Sequence, residues 1–435
     1  MRAVALAVAC FAAVMLPAAG AAAKEPGMMQ PAETPPPPMI NETGKKIDRE
    51  NPDRFEWSIF PFVSASTDTG VLFGALAIIA QFREGYTPYR WRGQFQLSMS
   101  IMAGDGGVEF PLMNHFIRFD FPDLLKDRLR LYTNLAHYHN SVFGWYGLGD
   151  ASSSVWKDSR TNEYSLTEEI AALSERTPLG KNLFFLSGIR FKYISLTVYS
   201  GSRLEQDQNK QAPGGGPLVR GVFDHAELQF SAGLQYDNRD FELNPGRGML
   251  HEFSLRYSPG ALGGTKLDYG GATLGLRFYQ TIIDEYLVFA CRLYGDVLFG
   301  AVPFTELGRA GAFVTYEMPG GSDGVRGVPL GRFSGKLKTV ANFELRSMFL
   351  RFTVLKQKFK VGAAAFFDTG RVWSDWSSPP SLDGTGFGMK YGAGGGIRLQ
   401  WGSVILVRID VAYSPNATDA GGLPVGIYAQ AGQLF

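Results

Sequence analysis

Leu287-Val288-Phe289-Ala290-Cys291-Arg292-Leu293-Tyr294-Gly295-Asp296-Val297-Leu298-Phe299 decides the fold. Taken alternately, Leu287, Phe289, Cys291, Leu293, Val297 and Phe299 share one face, while Arg292 and Asp296 lie on the other. A β-strand turns successive side chains to opposite faces, so this segment separates an apolar surface from a wet one. Working outward, the pattern recurs. Ala226, Leu228, Phe230, Ala232, Leu234 and Tyr236 oppose Glu227, Gln229, Ser231, Gln235 and Asp237; Phe343 and Leu345 oppose Asn342, Glu344 and Arg346; Ile405, Val407, Ile409 and Val411 oppose Arg408 and Asp410. Segments of about ten residues written this way, with charges on the second face, are those of a transmembrane barrel.

A soluble sandwich also alternates, but with its apolar face inward. The export signal described below, aromatic segment ends such as Phe143-Gly144-Trp145-Tyr146, and an aromatic Phe435 closing an amphipathic segment all favour the membrane barrel. Hydrocarbon offers no partner to backbone amides, so the sheet must close on itself. The segments between Phe55 and Phe435 number about 16, an even count as bacterial barrels require. Connections after odd strands are long (near 143–161, 200–221 and 300–336), and those after even strands are short, including Arg83–Tyr89, Pro122–Asp127 and Glu175–Lys181. This asymmetry places both termini in the periplasm. The expected fold is therefore all-β: a transmembrane antiparallel β-barrel of about 16 strands with a long loop folded into its lumen, since a barrel this wide is not filled by its own side chains.

Composition agrees. The chain has 435 residues, 53 of them glycine and 2 cysteine, and its 42 Lys and Arg against 41 Asp and Glu leave no basic surplus for nucleic acid. Arg2, the apolar run Ala3–Leu16, Pro17 and Ala21-Ala22-Ala23 read as a signal peptide over residues 1–23. Cys10 does not make a lipobox, because the apolar run continues past it. Residues 24–54, with Pro35–Pro38 consecutive, read as a periplasmic linker, and 55–435 as the barrel.

The longest outer connection carries Pro319-Gly320-Gly321-Ser322-Asp323-Gly324-Val325-Arg326-Gly327. Period-two counting puts Asn342, Glu344 and Arg346 on the lumen face, and Asp368 of Phe366-Phe367-Asp368-Thr369-Gly370 likewise. A folded-in loop then brings Arg326 to an internal carboxylate, where a guanidinium fork matches carboxylate geometry. Glycines on both sides permit the sharp turn.

With these motifs, with Glu344-Leu345-Arg346, with Asp237-Asn238-Arg239-Asp240 and Asn244-Pro245-Gly246-Arg247-Gly248, and with Tyr146-Gly147-Leu148-Gly149-Asp150 and Gly395-Gly396-Ile397-Arg398-Leu399, the chain resembles the BamA/TamA-like outer-membrane assembly superfamily, or bacterial surface antigen family. The resemblance implies that a loop bearing Gly320, Gly321, Val325, Arg326 and Gly327 tucks inside, with Asp368 and Glu344 as inward partners of Arg326. It further implies a weak seam between a first strand near Trp57–Ser66 and a closing strand over Val425–Phe435, with Gly426, Gly432 and Phe435 on the closing side, where incoming strands are templated. The sequence departs from the family plan in one respect: residues 24–54 are too few for the POTRA domains that normally precede the barrel. It also has Val328 where the loop motif usually has an aromatic.

No catalytic, cofactor or metal site is expected. Gly320-Gly321-Ser322-Asp323-Gly324 matches G-x-S-x-G formally, but no buried parallel strand and helix flank it. His115, His137, His139, His225 and His251 lack metal-ligand company, and the glycines at 392–396 precede no helix. The expected function is insertion or translocation of client polypeptide at the outer membrane of a Gram-negative-type bacterium, with lipid and client chains as partners. The alternative is a passive porin-like channel. A membrane-embedded lipid-modifying enzyme would need an outward Ser–His pair, which is not identifiable.

Overall fold

The computed structural model describes residues 53–66, 69–83, 89–104, 107–124, 129–152, 160–241, 244–284, 286–354, 357–401, 405–420, 424–431 and 433–435. The expected signal peptide and most of the linker therefore lie outside the described residues, as does Gly432.

Sixteen long strands appear among the described residues: β1 Arg54–Ser66, β2 Gly70–Phe82, β3 Trp91–Gly104, β4 Leu112–Leu124, β5 Leu129–Gly144, β6 Glu163–Gly180, β7 Leu183–Val198, β8 His225–Asp237, β9 Gly248–Ser258, β10 Tyr269–Ile283, β11 Leu287–Gly300, β12 Leu337–Val354, β13 Gln357–Trp373, β14 Lys390–Trp401, β15 Ile405–Tyr413 and β16 Val425–Ala431. Each pairs antiparallel with its sequence neighbours, and a three-residue strand, Gly107–Glu109, extends β3. The ring closes where β16 meets β1, at Ala65↔Ala429 and Ser66↔Tyr428. No described helix is long and apolar enough to cross a membrane; the crossing elements are the strands.

Burial is inverted relative to a soluble protein. On β8, Gln229, Gln235 and Asp237 are buried, whereas Phe230 and Leu234 are 43% and 45% exposed. On β11, Arg292 and Asp296 are fully buried while Leu293 and Phe299 are exposed. Phe230 and Leu234 of β8 and Leu293 and Phe299 of β11 thus face outward, as the alternation of their segments predicts. Phe230 sits near the middle of its strand, so Phe230→Lys is expected to cost about 2–4 kcal/mol of folding stability in lipid, the range for a lysine at the bilayer midplane. Urea titration of the protein refolded into vesicles measures it.

The long connections lie where expected, with refined boundaries, but the alternation is not strict: β1 and β2 are joined by only 67–69, whereas the connection after β8 spans 238–247. Those after β5, β7 and β11 occupy 145–162, 199–224 and 301–336, while β6 and β7 are joined by only 181–182. The turn assigned above to Glu175–Lys181 is largely strand, because Thr177 and Pro178 still pair with Phe185 and Phe184. β4 likewise runs to Leu124 and takes up part of the expected Pro122–Asp127 turn.

Candidate functional site: the lumen loop and the seam

The 301–336 connection enters the barrel through a one-turn helix, Phe304–Leu307, and a small hairpin in which Arg309–Ala310 pairs with Tyr316–Glu317. Its root is clamped by ions. Lys192 Nζ on β7 donates to Glu306 Oε1 at 2.6 Å and lies 2.8 Å from Glu227 of β8, and Arg309 Nη1 donates to Glu168 of β6 at 2.7 Å. Burial alone would raise the Glu306 carboxyl; the Lys192 ammonium, followed by Arg256 and Arg309, more than offsets it and holds the group well below the usual carboxylate range. Around this root Phe143, Trp145, Tyr164, Leu166, Ile194, Leu204, Tyr269, Leu298 and Phe304 pack as an apolar cluster across the long-loop end.

Farther in, Arg326 is fully buried at the centre of an ionic cluster. Its Nε donates to Asp368 Oδ2 at 2.7 Å and Nη2 to Asp368 Oδ1 at 2.9 Å, a bidentate fork that the backbone N–H of Arg326 supplements at 3.2 Å. Nη1 donates to Asp410 Oδ2 at 2.9 Å and lies 2.7 Å from Glu344 Oε1. The Phe366 ring stacks beneath the guanidinium at 3.4 Å. Each carboxylate has further cations: Arg346 holds Glu344 at 2.7 Å, while Arg398 and Arg408 reach Asp410 at 2.6 and 3.0 Å. Asn342 bridges Asp368 and the Gly324 carbonyl, both at 2.8 Å. Burial would lower the Arg326 pKa, but Asp368 and then Glu344 raise it, so the guanidinium stays charged.

Backbone space makes this seat possible. Gly327 has φ +92°, a left-handed conformation, and packs on Ser414. A side chain at Gly392 on β14 would collide with the Arg326 carbonyl, so the loop lies directly on bare strand backbone. Val325 is fully buried, while Gly320 and Gly321 form the turn before it, Gly321 at φ +84°.

The loop also grips the closing strand. Gly327 N–H donates to Tyr428 Oη at 3.2 Å and Gln430 Nε2 to Ser322 Oγ at 2.7 Å. By contrast, β16 and β1 are paired at two positions among the described residues, whereas β1 and β2 are paired at thirteen. Gly426 lies in β16, buried against the Tyr428 ring. Phe435, assigned from sequence to the closing strand, does not belong to it: β16 ends at Ala431, and Leu434 and Phe435 turn into the lumen to pack on Tyr279 and Ala290. Arg346 supplies the reason, its Nη2 donating to the Phe435 main-chain oxygen at 3.1 Å.

Sequence reading missed Asp410, Tyr428, Gly392 and the Lys192–Glu306 pair. Asp410 lies on a polar strand face by period-two counting, and only the path of the loop reveals its partner. No group of His, Cys, Asp and Glu suited to a metal ion occurs among the described residues.

The Omp85 superfamily domain matches residues 114–435. No match is found among curated proteins. Among solved structures, the chain is similar to BamA from Haemophilus ducreyi lacking POTRA domains 1–3, at 17% identity and TM-score 0.54, covering 87% of this chain and 70% of that one. It is also similar to CdiB from Escherichia coli, at 12% identity and TM-score 0.55, covering 88% and 68%. At such identities the likeness is one of fold.

Proposed function

Because the chain belongs to the Omp85 superfamily, we propose that this outer-membrane barrel inserts or translocates polypeptide at the outer membrane by opening between β1 and β16. The seam, paired at two positions among the described residues, is the observation that carries this reading. In hydrocarbon an unpaired backbone group costs several kcal/mol, so the edge of β1 before Ala65 favours any strand that supplies the missing partners. An incoming amphipathic segment does so by β-augmentation, its apolar side chains falling outward with those of β1, where Trp57 and Ile59 are exposed.

The lumen loop sets the cost of opening. Its bonds to Tyr428 and Gln430 hold the closing strand from inside, and its Arg326 cluster fixes the loop to β12, β13 and β15. The mechanism requires no nucleophile: release of a few hydrogen bonds frees β16 while the rest of the ring keeps its long ladders. In this reading the short turns face the periplasm and clients arrive from that side. The passive-channel reading has less support, since the charged lumen faces that suggested it are occupied by the loop.

Reconstitution tests the proposal. Vesicles containing the barrel should accelerate folding of an urea-solubilised client barrel, scored by its heat-modifiable migration, relative to empty vesicles. Equal rates would remove the insertion reading.

A further inference from the structure

On the side away from the seam, β5, β6 and β7 change character at one rung of the ladder. Below it, Leu135, Leu173 and Phe191 are exposed on the outward face. Above it the two faces exchange. Inward, charged Lys192 and Glu168 give way to Ile194, Leu166 and Tyr164, buried in the apolar cluster at the long-loop end, while outward Ser165, Thr167, Ser195 and Thr197 are polar. The rung itself pairs His137 with Glu169 and Glu169 with Tyr193. A sheet that is apolar inside and polar outside is built for water, so the hydrocarbon ends at this rung. From there the wall rises roughly 15 Å along the strands, at about 3.3 Å per residue.

The polar groups at this rung are organised. The His115 ring of β4 stacks on His137 of β5, with centroids 5.7 Å apart. Its Nδ1 accepts the Ser98 backbone N–H at 3.2 Å, so its own proton sits on Nε2. His137 Nδ1 lies 2.7 Å from Glu169 Oε1; a carboxylate only accepts, so His137 donates there and its Nε2 is left as an acceptor. His139 Nδ1 lies 2.8 Å from Thr167 Oγ1. The Glu169 side chain is 56% exposed. Donors and acceptors thus share one outward patch directly above Ile117 and Leu135, which face lipid, and among the described residues these groups do not make a metal-binding set.

We propose that this patch and the hydroxyl row above it are a contact surface for the sugar headgroup of a membrane glycolipid. A phosphate alone would be opposed by Glu169 and a bare cation by the His115 N–H, whereas a sugar hydroxyl both donates and accepts and satisfies the two together. Ser165, Thr167, Ser195 and Thr197 continue the same neutral chemistry up the wall. Continuity with the lipid-facing band fixes the source, because a headgroup joined to acyl chains lies where the wall leaves the hydrocarbon. Tyr193, exposed at the rung, is the kind of ring that marks that depth. The surface is independent of the seam; only its assignment to the outer leaflet rests on the orientation proposed above, long loops outward.

The test uses the full chain in a Cys291→Ala background, with a nitroxide attached at Ser195→Cys or, for comparison, at Ile189→Cys, each checked for heat-modifiable migration. In phosphatidylcholine vesicles a water-soluble nickel chelate should reach the label at 195, and oxygen alone the label at 189. A label at 195 reached only by oxygen would place the wall in hydrocarbon and overturn the proposal. Adding lipopolysaccharide with its core sugars to both leaflets should shield the label at 195 from nickel, whereas phosphatidylglycerol at matched negative charge should not. His137→Ala combined with Glu169→Ala should raise the glycolipid content needed for half shielding by about tenfold or more, the loss expected for a charged hydrogen bond. Equal shielding by the two lipids, or shielding unchanged in the double variant, likewise overturns it. With glycolipid in both leaflets an inverted barrel gives the same result, so failure of the proposed orientation is not read as failure of the site, and neither outcome bears on client insertion.

Discussion

Arg326→Ala is expected to lower the stability of the barrel by about 3–5 kcal/mol, the cost of removing one member of a buried charge cluster. The size follows from what remains. Asp368, Glu344 and Asp410 all lie within 3 Å of one guanidinium, and its loss leaves three carboxylates converging on a site from which loop and strands exclude water. Arg346, Arg398 and Arg408 partly compensate, so the barrel should still assemble, but with the loop loosened and the heat-modifiable band lost at lower temperature. Arg326→Lys should fall between, because a lysine keeps the charge but cannot make the bidentate fork to Asp368. Gel migration after stepped heating measures both; a midpoint unchanged in Arg326→Ala would mean that the cluster does not brace the barrel.

Locking the seam should have the largest effect on activity. Ala65 and Ala429 are directly paired across β1 and β16, so Ala65→Cys with Ala429→Cys, in a Cys291→Ala background, is placed to form a cross-strand disulfide. The oxidised protein should lose nearly all acceleration of client folding, and reduction should restore it. A second cysteine pair between β1 and β2, at Ala75 and Pro61, where the ladder is continuous, should leave activity close to that of the parent. Full activity in the oxidised seam-locked protein would show that clients do not pass there.

The sequence made the barrel legible because lipid on one side and a wet lumen on the other impose a period of two on nearly every strand, as on β8 and β11. The inward position of Asp368 was legible for a related reason, strand periodicity, and glycines marked a tight loop, but the pairing of Arg326 with Asp368 was implied by the family resemblance rather than by the residues alone. Asp410 and Tyr428 were not. Nothing in their local sequence records that a loop nearly a hundred residues away rests on them. Gly392 looked like one glycine among several, and its role appears only because the Arg326 carbonyl occupies the space of its missing side chain. Phe435 misled for a different reason. Alternation along Val425, Ile427 and Ala429 continues naturally to a terminal aromatic, but Arg346 and the Tyr279 floor draw the segment off the sheet. Strand periodicity is a local property, whereas the point at which a chain leaves its sheet is set by partners far away in sequence.

The most direct measurement of the central claim, that this barrel places other polypeptides in or across the outer membrane, is a quantitative census of outer-membrane proteins after its depletion from cells. The account predicts selective loss of particular barrel or surface proteins, restored by the parent chain and not by the seam-locked form. An unchanged census accompanied by altered uptake of small solutes would contradict it.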